Sequence, residues 1–296
     1  MNINCFDDIY VKNGEKNKIE EGVLYLVATP IGNTEDISSR ALKVLKQVDF
    51  VAAEDTRNSG KLLSLYGIKQ KYISYHEHNK AEVGGRITDM LRSGKSVALI
   101  TDAGMPAVSD PGEDLVKLCC EMGIKVTCVT GACALITALV LSGLNTRRFS
   151  FEGFLSSKSS ERISYLEKIK DDGRTLIFYE APHKLKTTLQ DMFNCFGNRK
   201  ISICRELTKL NEEICRTTLK EAVELYNEKE PRGEYVLVIE GYNGGQKNDW
   251  ENLTVEEHIK FYTDSLGITK MEAIKKVAKD RNVPKGEIYK QVINKK

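Results

Sequence analysis

Two aspartates, two glycines, two prolines and a serine fall within twelve residues, Thr101-Asp102-Ala103-Gly104-Met105-Pro106-Ala107-Val108-Ser109-Asp110-Pro111-Gly112. Small residues let a ligand approach the backbone, and prolines stiffen a loop that presents its amides. An ordinary surface turn needs far fewer such residues, so a ligand loop is the better reading. A second turn is Ala28-Thr29-Pro30-Ile31-Gly32-Asn33. Pro30 fixes its own backbone angle and Gly32 permits a positive one. This turn reads equally as an ordinary strand–helix connection or as a ligand loop. Glu54-Asp55-Thr56-Arg57 sets three charged side chains directly after an apolar run. They either cap the next helix through Asp55 or Thr56, or form a polar active-site wall. Three loops at one sheet edge favour the wall.

Other segments are weaker. His76-Glu77-His78-Asn79 suggests a metal pair on a strand, but no third ligand is visible, so no metal is expected. Glu180-Ala181-Pro182-His183-Lys184 and Arg205-Glu206-Leu207-Thr208-Lys209 both follow strand-like runs. Ser156, Ser157, Lys158, Ser159, Ser160 and Arg162 form a basic loop that suits phosphate or plain solvent equally. The eight cysteines are Cys5, Cys119, Cys120, Cys128, Cys133, Cys195, Cys204 and Cys215. They lie mostly within apolar runs and form no C-x-x-C, which points to reduced thiols rather than a disulfide or zinc framework.

The elements that must hold these loops follow from hydrophobic period. Apolar runs at 23–29, 50–53, 72–75, 96–101 and 125–130 read as strands. Helical patterns fit 39–48, 60–66, 81–92 and 132–142 between and after them. Continuous apolar strands alternating with helices imply a largely parallel sheet covered on both faces. Beyond residue 148, strands at 149–154, 175–179, 201–205, 214–219 and 235–239 alternate with helices near 161–170, 185–195 and 220–227. Two neighbouring strands without an intervening helix imply a mixed sheet. The expected organisation is a loose tail over 1–21, α/β domains over 22–147 and 148–242, a polar linker over 243–250 and a helical module over 251–296. In that module Thr254 with Glu257 and Thr269 with Glu272 form capping boxes, and Pro284 opens a third helix. Ile274, Val277 and Ala278 form the inner stripe of its second helix, and Ile288 and Val292 that of the third.

The chain has 296 residues, with 44 Lys and Arg against 42 Asp and Glu, so any nucleic-acid surface has to be local. Residues 251–296 carry ten basic and seven acidic side chains, a net of +3. The most apolar run, 132–144, is broken by Thr137, Ser142 and Gly143 and falls short of the ~20 residues of a membrane span. Asp7 and Asp8 spoil any secretory pattern at the start, which leaves a cytoplasmic protein as the expectation. No G-x-G-x-x-G follows the first strand, so a dinucleotide-dependent oxidoreductase lacks its fingerprint.

Taken in order, the loops resemble the ribosomal-RNA-modifying branch of the tetrapyrrole methylase superfamily. The resemblance rests on six segments. They are Leu24-Tyr25-Leu26-Val27 running into the Ala28–Asn33 turn, Glu54 to Arg57, Asp102 to Gly112, Ser142-Gly143-Leu144, Phe151-Glu152-Gly153-Phe154-Leu155 and Arg205 to Lys209. It covers residues 22–241, and the last helices resemble the helix-turn-helix tail of the same family. The chain departs from the family in Thr130-Gly131-Ala132-Cys133-Ala134, where Pro-Gly-Pro-Ser-Ala is usual. Ser156 replaces a common proline and Lys184 an arginine.

This resemblance implies two α/β domains with S-adenosylmethionine in the cleft between them, and a homodimer. It implies methyl transfer to the ribose 2′-oxygen of a cytidine in the decoding region of 16S rRNA in the small ribosomal subunit. Carried over by motif, Pro30, Gly32, Asp102, Ala103, Gly104, Pro106, Ala132, Cys133 and Ala181 are expected near the cofactor. A hydroxyl nucleophile must lose its proton during or after attack. Glu54, Asp55 and Glu206 are candidates to take or orient it, with Arg57 and Lys209 holding phosphate or lowering the oxygen's proton affinity. Lys158, Arg162, Lys184, Lys275, Lys276 and Lys279 are expected to contact RNA. Two rivals remain. A carbon methyltransferase of a corrin or porphyrin precursor needs neither basic loop nor helical tail. A ligand-sensing DNA-binding regulator would use the tail to read an operator.

Overall fold

The computed structural model describes residues 18–244, 253–281 and 283–293, in two compact units, Met1–Gly241 and Tyr242–Lys296. Cys5 and most of the expected tail, the linker from 245 to 250, and the side chain of Val292 lie outside the described residues.

In the first unit, β1 (Val23–Val27), β2 (Phe50–Ala53), β3 (Tyr72–Ser74), β4 (Val97–Ile100) and β5 (Lys125–Val129) form one sheet in the order β3-β2-β4-β1-β5. Every pairing in it is parallel. Alternate strand residues enter opposite layers, as the two-residue period requires. Val23, Tyr25 and Val27 pack with Ala41, Val44 and Leu45 of α1 (Ser39–Gln47). Leu24, Val97 and Leu99 pack with Ile87 and Leu91 of α3 (Lys80–Arg92) and with Leu115 and Cys119 of α4 (Glu113–Glu121).

The sequence pattern assigns no helix between Gly112 and Lys125, where α4 lies. Its apolar stripe is short, and Gly112 precedes it at φ 138° without a side-chain cap. Helix α2 (Thr56–Leu65) starts one turn earlier than the pattern suggests, because the Asp55 carboxylate accepts from the Arg57 and Asn58 amides.

The second sheet contains β6 (Phe149–Phe154), β7 (Thr175–Glu180), β8 (Lys200–Arg205), β9 (Glu213–Thr218) and β10 (Tyr235–Ile239), in the order β6-β7-β10-β8-β9. Only β6 with β7 is parallel. One face packs on α6 (Ser159–Ile169), α7 (Pro182–Phe196) and α8 (Leu219–Glu228), with Leu166, Leu189 and Tyr226 buried there. The other face receives α5 (Ala134–Ser142), the helix that leaves the first sheet. Leu135, Ala138 and Leu139 of α5 meet Ile177, Cys204, Val236 and Val238. One apolar helix therefore joins the two sheets.

The second unit holds α9 (Val255–Leu266), α10 (Lys270–Asp280) and α11 (Lys285–Ile293). Both expected capping boxes form, at Thr254 with Glu257 and at Thr269 with Glu272. Ile259, Ala273, Ile274, Val277, Ala278 and Ile288 make its core.

Candidate functional site

A cavity of about 350 Å³ opens between the two sheets of the first unit, within the size range of small-molecule sites. From the first sheet come Ile31 after β1, Ala103, Gly104, Met105, Val108, Ser109 and Asp110 after β4, and Cys133 and Ala134 after β5. The second sheet supplies Phe154, Tyr179, Glu180, Ala181, Cys204, Leu207 and Tyr235. Ala103, Gly104, Cys133 and Ala181, four of the residues expected near the cofactor, line this cavity.

The loops after β1 and β4 brace each other. The Thr29 N–H donates to Gly104 C=O at 2.9 Å, and the Gly104 N–H donates back to Thr29 C=O at 3.0 Å. Gly104 has φ +80°, and a Cβ there would sit 3.1 Å from Ile31 Cγ2. Farther along, Ala107 and Ser109 hold φ near +65° and +60°. Each such non-glycine residue costs about 1–3 kcal/mol, a cost tolerated where it positions a functional group. Here the strained pair turns the chain so that Asp110 reaches the cavity wall.

Asp110 is half-buried and was missed as a site residue by the sequence reading. Burial, then repulsion from Glu54 and Asp102, pushes its carboxyl up to about 6. Glu54 is raised too, by burial first and by Asp102 next. Asp102 accepts from Asn58 Nδ2 at 3.0 Å, at the rim. The other candidate carboxylates are engaged elsewhere. Asp55 is held near 2 by the Arg57 guanidinium and by the Arg57 and Asn58 amides, which tie it to the N-terminal cap of α2. Arg57 is its exposed partner at 2.9 Å. Burial raises Glu206, but the Glu234 amide and the Lys209 ammonium outweigh it and keep the carboxyl ionised. Lys209 is shared between Glu206 at 3.0 Å and Glu234 at 2.8 Å.

The β1 turn corrects another expectation. Gly32 faces the second sheet's loop rather than the cavity: a Cβ there would lie 2.5 Å from Lys209 Cγ and 2.9 Å from Leu207 O. Asn33 N–H donates to Thr208 Oγ1 at 3.0 Å. The turn therefore latches the two sheets together, and only Ile31 of it lines the cavity. Pro30 and Pro106 are buried beneath their loops, and Ala132 sits one residue before the wall.

The expected RNA contacts divide. Arg162 is only 6% exposed; it pairs with Asp191 at 2.7 Å and donates to Ser156 C=O, so it braces the loop and is not available to phosphate. Lys184 is largely buried against Glu180 at 3.1 Å and Leu155 C=O at 3.0 Å. Lys158 is exposed beside Glu161. In the second unit Lys275, Lys276 and Lys279 are exposed on α10, with the Lys276 ammonium 5.1 Å from the Tyr262 ring centre. His76 and His78 sit in a turn after β3, not on a strand, with ring centres 6.0 Å apart. Among the described residues no three His, Cys, Asp or Glu side chains gather as metal ligands, and no helix is long and apolar enough to cross a membrane.

Comparison with known proteins follows this geometry. The pattern that defines the Tetrapyrrole (Corrin/Porphyrin) Methylases matches residues 23–223. A relative from Halalkalibacterium halodurans, named Ribosomal RNA small subunit methyltransferase I, is 50% identical over 91% of this chain and 94% of its own length. One of the same name from Bacillus subtilis is 48% identical over 92% and 94%. Among solved structures, a cobalt precorrin-4 methyltransferase of cobalamin biosynthesis is similar at TM-score 0.55 and 19% identity, covering 74% of this chain and 95% of that one. The uroporphyrin-III C-methyltransferase of Thermus thermophilus gives TM-score 0.54 at 20% identity, over 74% and 94%. These two likenesses concern the fold.

Proposed function

We propose the following reaction for this chain, which belongs to the tetrapyrrole (corrin/porphyrin) methylase family: it takes a methyl group from S-adenosylmethionine and places it on the ribose 2′-oxygen of a cytidine in the decoding region of 16S rRNA. It is a methyltransferase of the small ribosomal subunit. The observation that carries the reading is one cavity in which small-residue loops from both sheets meet a carboxyl poised near neutrality. The donor supplies an electrophilic methyl on a sulfonium cation. Ala103, Gly104, Cys133 and Ala181 hold it with backbone and small side chains, which suits a reaction that water would slow by stabilising the charged reactant.

Asp110 takes the proton of the attacking hydroxyl. Its value of about 6 leaves it mostly ionised at neutral pH yet basic enough to receive a proton. Glu54 keeps that value up by repulsion. Arg57 and Lys158, both exposed at the surface, contact phosphates, which positions RNA without reading its sequence. The enzyme acts in the cytoplasm as a homodimer. Ile136 and Val140, one turn apart on α5 and 43% and 64% exposed, support self-association.

The test incubates labelled S-adenosylmethionine with undermodified small subunits, then cleaves the RNA with mild alkali. A methylated 2′-oxygen cannot attack its own phosphodiester, so one gap in the ladder is expected. Label on a base within an intact ladder redirects the chemistry to another acceptor atom. Unlabelled RNA together with a labelled corrin or porphyrin precursor overturns the reading.

A further inference from the structure

We infer that Phe154 is the surface on which the acceptor nucleobase of the RNA stacks, an inference that rests on RNA being the acceptor. Phe154 ends β6, lines the cavity and is 56% exposed. A single exposed ring is ordinary on a protein surface; this one also forms part of the cavity wall. Its placement comes from a break in strand register. Phe151 pairs with Ile177, Gly153 with Phe178 and Phe154 with Tyr179, so Glu152 is one residue too many. Without the bulge, in regular alternation, Phe151 and Phe154, three residues apart, would point to opposite faces of the sheet. With it, both lie on the face of Ile177 and Tyr179, the face that carries the cavity.

The bulge is built in. Gly153 takes φ +65°, and a Cβ there would stand 3.4 Å from Ser109 Oγ. The supernumerary Glu152 accepts a hydrogen bond from the Tyr165 hydroxyl of α6. The ring it re-aims is then held firmly. Tyr179 meets Phe154 at 5.5 Å and 61°, and meets Phe151 at 4.9 Å and 67°. Lys184 Nζ lies 5.8 Å from the Phe154 ring centre, itself fixed by Glu180 and Leu155. With Tyr179 set edge-to-face and the Lys184 cation over one face, the exposed part of the ring is left to a flat, electron-rich partner. A nucleobase splayed out of its RNA has that shape, and stacking on aromatic side chains is how such bases are held. The donor's own adenine is the weaker occupant. Of the small residues expected to hold the donor, Gly104 is buried and Cys133 and Ala181 are half-buried, whereas Phe154 is 56% exposed at the cavity wall, where a base on a large RNA can reach it.

Phe154→Ala, Phe154→Leu and Phe154→Trp discriminate the readings, with donor affinity measured by calorimetry and methylation kinetics on undermodified small subunits. Loss of one stacked base predicts that kcat/KM for subunits falls about 5–150-fold in Phe154→Ala, with donor Kd changed less than about twofold. Phe154→Leu should fall similarly, because it keeps apolar bulk but has no π face. Phe154→Trp should stay within about threefold of the parent chain. Donor affinity that drops with Phe154→Ala assigns the ring to adenine and overturns the inference. So does full activity in the Ala or Leu variant while the parent chain labels subunit RNA. A parent chain that binds donor but leaves subunit RNA unlabelled overturns the proposed function itself.

Discussion

At Asp110 burial and two neighbouring carboxylates act in one direction, and the consequence can be followed with its sign. The folded chain holds the Asp110 proton more tightly than the unfolded chain, with the group raised from 3.8 to about 6. Between those values the folded state binds more protons, so stability falls as pH rises through that window and the loss is complete above it. Asp110→Asn removes the penalty. It should stabilise the protein by about 1–2 kcal/mol near pH 7.5, after allowance for solvent screening, and by almost nothing near pH 3.5. Thermal melts at the two pH values check this. The same variant should lose about 10²–10⁴-fold in methyl transfer, since an amide accepts no proton. A more stable and far less active protein is the expected pair of outcomes; an active Asp110→Asn would remove the residue from the chemistry. In the parent chain, kcat/KM should rise with pH through about 6. Glu54→Gln should move that limb to lower pH, because one of the repelling charges is gone.

The elements around the cavity matter mainly through how they brace one another. The β1 turn fits under the loop after β8 only because Gly32 has no side chain. Gly32→Ala must displace Leu207 O, a backbone atom that cannot swing aside as the Lys209 chain can. We expect a loss of about 1–3 kcal/mol in urea unfolding, with donor affinity weakened because Ile31 and Leu207 both line the cavity. Unchanged stability would mean that the loops are not latched. These braces also separate what the sequence discloses from what it hides. The loop from Asp102 to Gly112 was legible because its composition is abnormal for a turn. The alternation of apolar runs disclosed both sheets, since buried parallel strands and a mixed sheet leave different rhythms. The aim of Asp110 was hidden, because it depends on positive φ at Ala107 and Ser109, residue types that carry no such signal. Phe154 was hidden by one extra residue in β6, which reverses the face that simple alternation assigns. Gly32 read as a ligand glycine because a local pattern cannot show that its neighbour is Lys209, far along the chain. The same blindness placed Arg162 on the surface, although Asp191 draws it inward.

For the molecule as a whole, charge decides how RNA can be engaged. The chain is nearly neutral, with 44 basic and 42 acidic side chains, so its attraction for a polyanion has to come from patches. With Arg162 and Lys184 committed to internal partners, the first unit offers few free cations from the expected set. Apart from Lys158, the remaining expected cations are on the helical unit, where Lys275, Lys276 and Lys279 project from the face of α10 opposite its core residues Ile274, Val277 and Ala278. Because those lysines are outside that core, replacing all three with Gln should leave the helices folded. If each meets a phosphate, the variant should bind small subunits more weakly, and its log–log salt slope should be shallower by about 2–3. Donor affinity should stay the same, since none of the three lines the cavity. Binding titrations between about 50 and 200 mM salt provide the measurement. A shallower slope with unaltered base selectivity assigns the helical unit to backbone contact and leaves discrimination to the cavity. An unchanged slope would show that the tail does not meet the RNA backbone through α10.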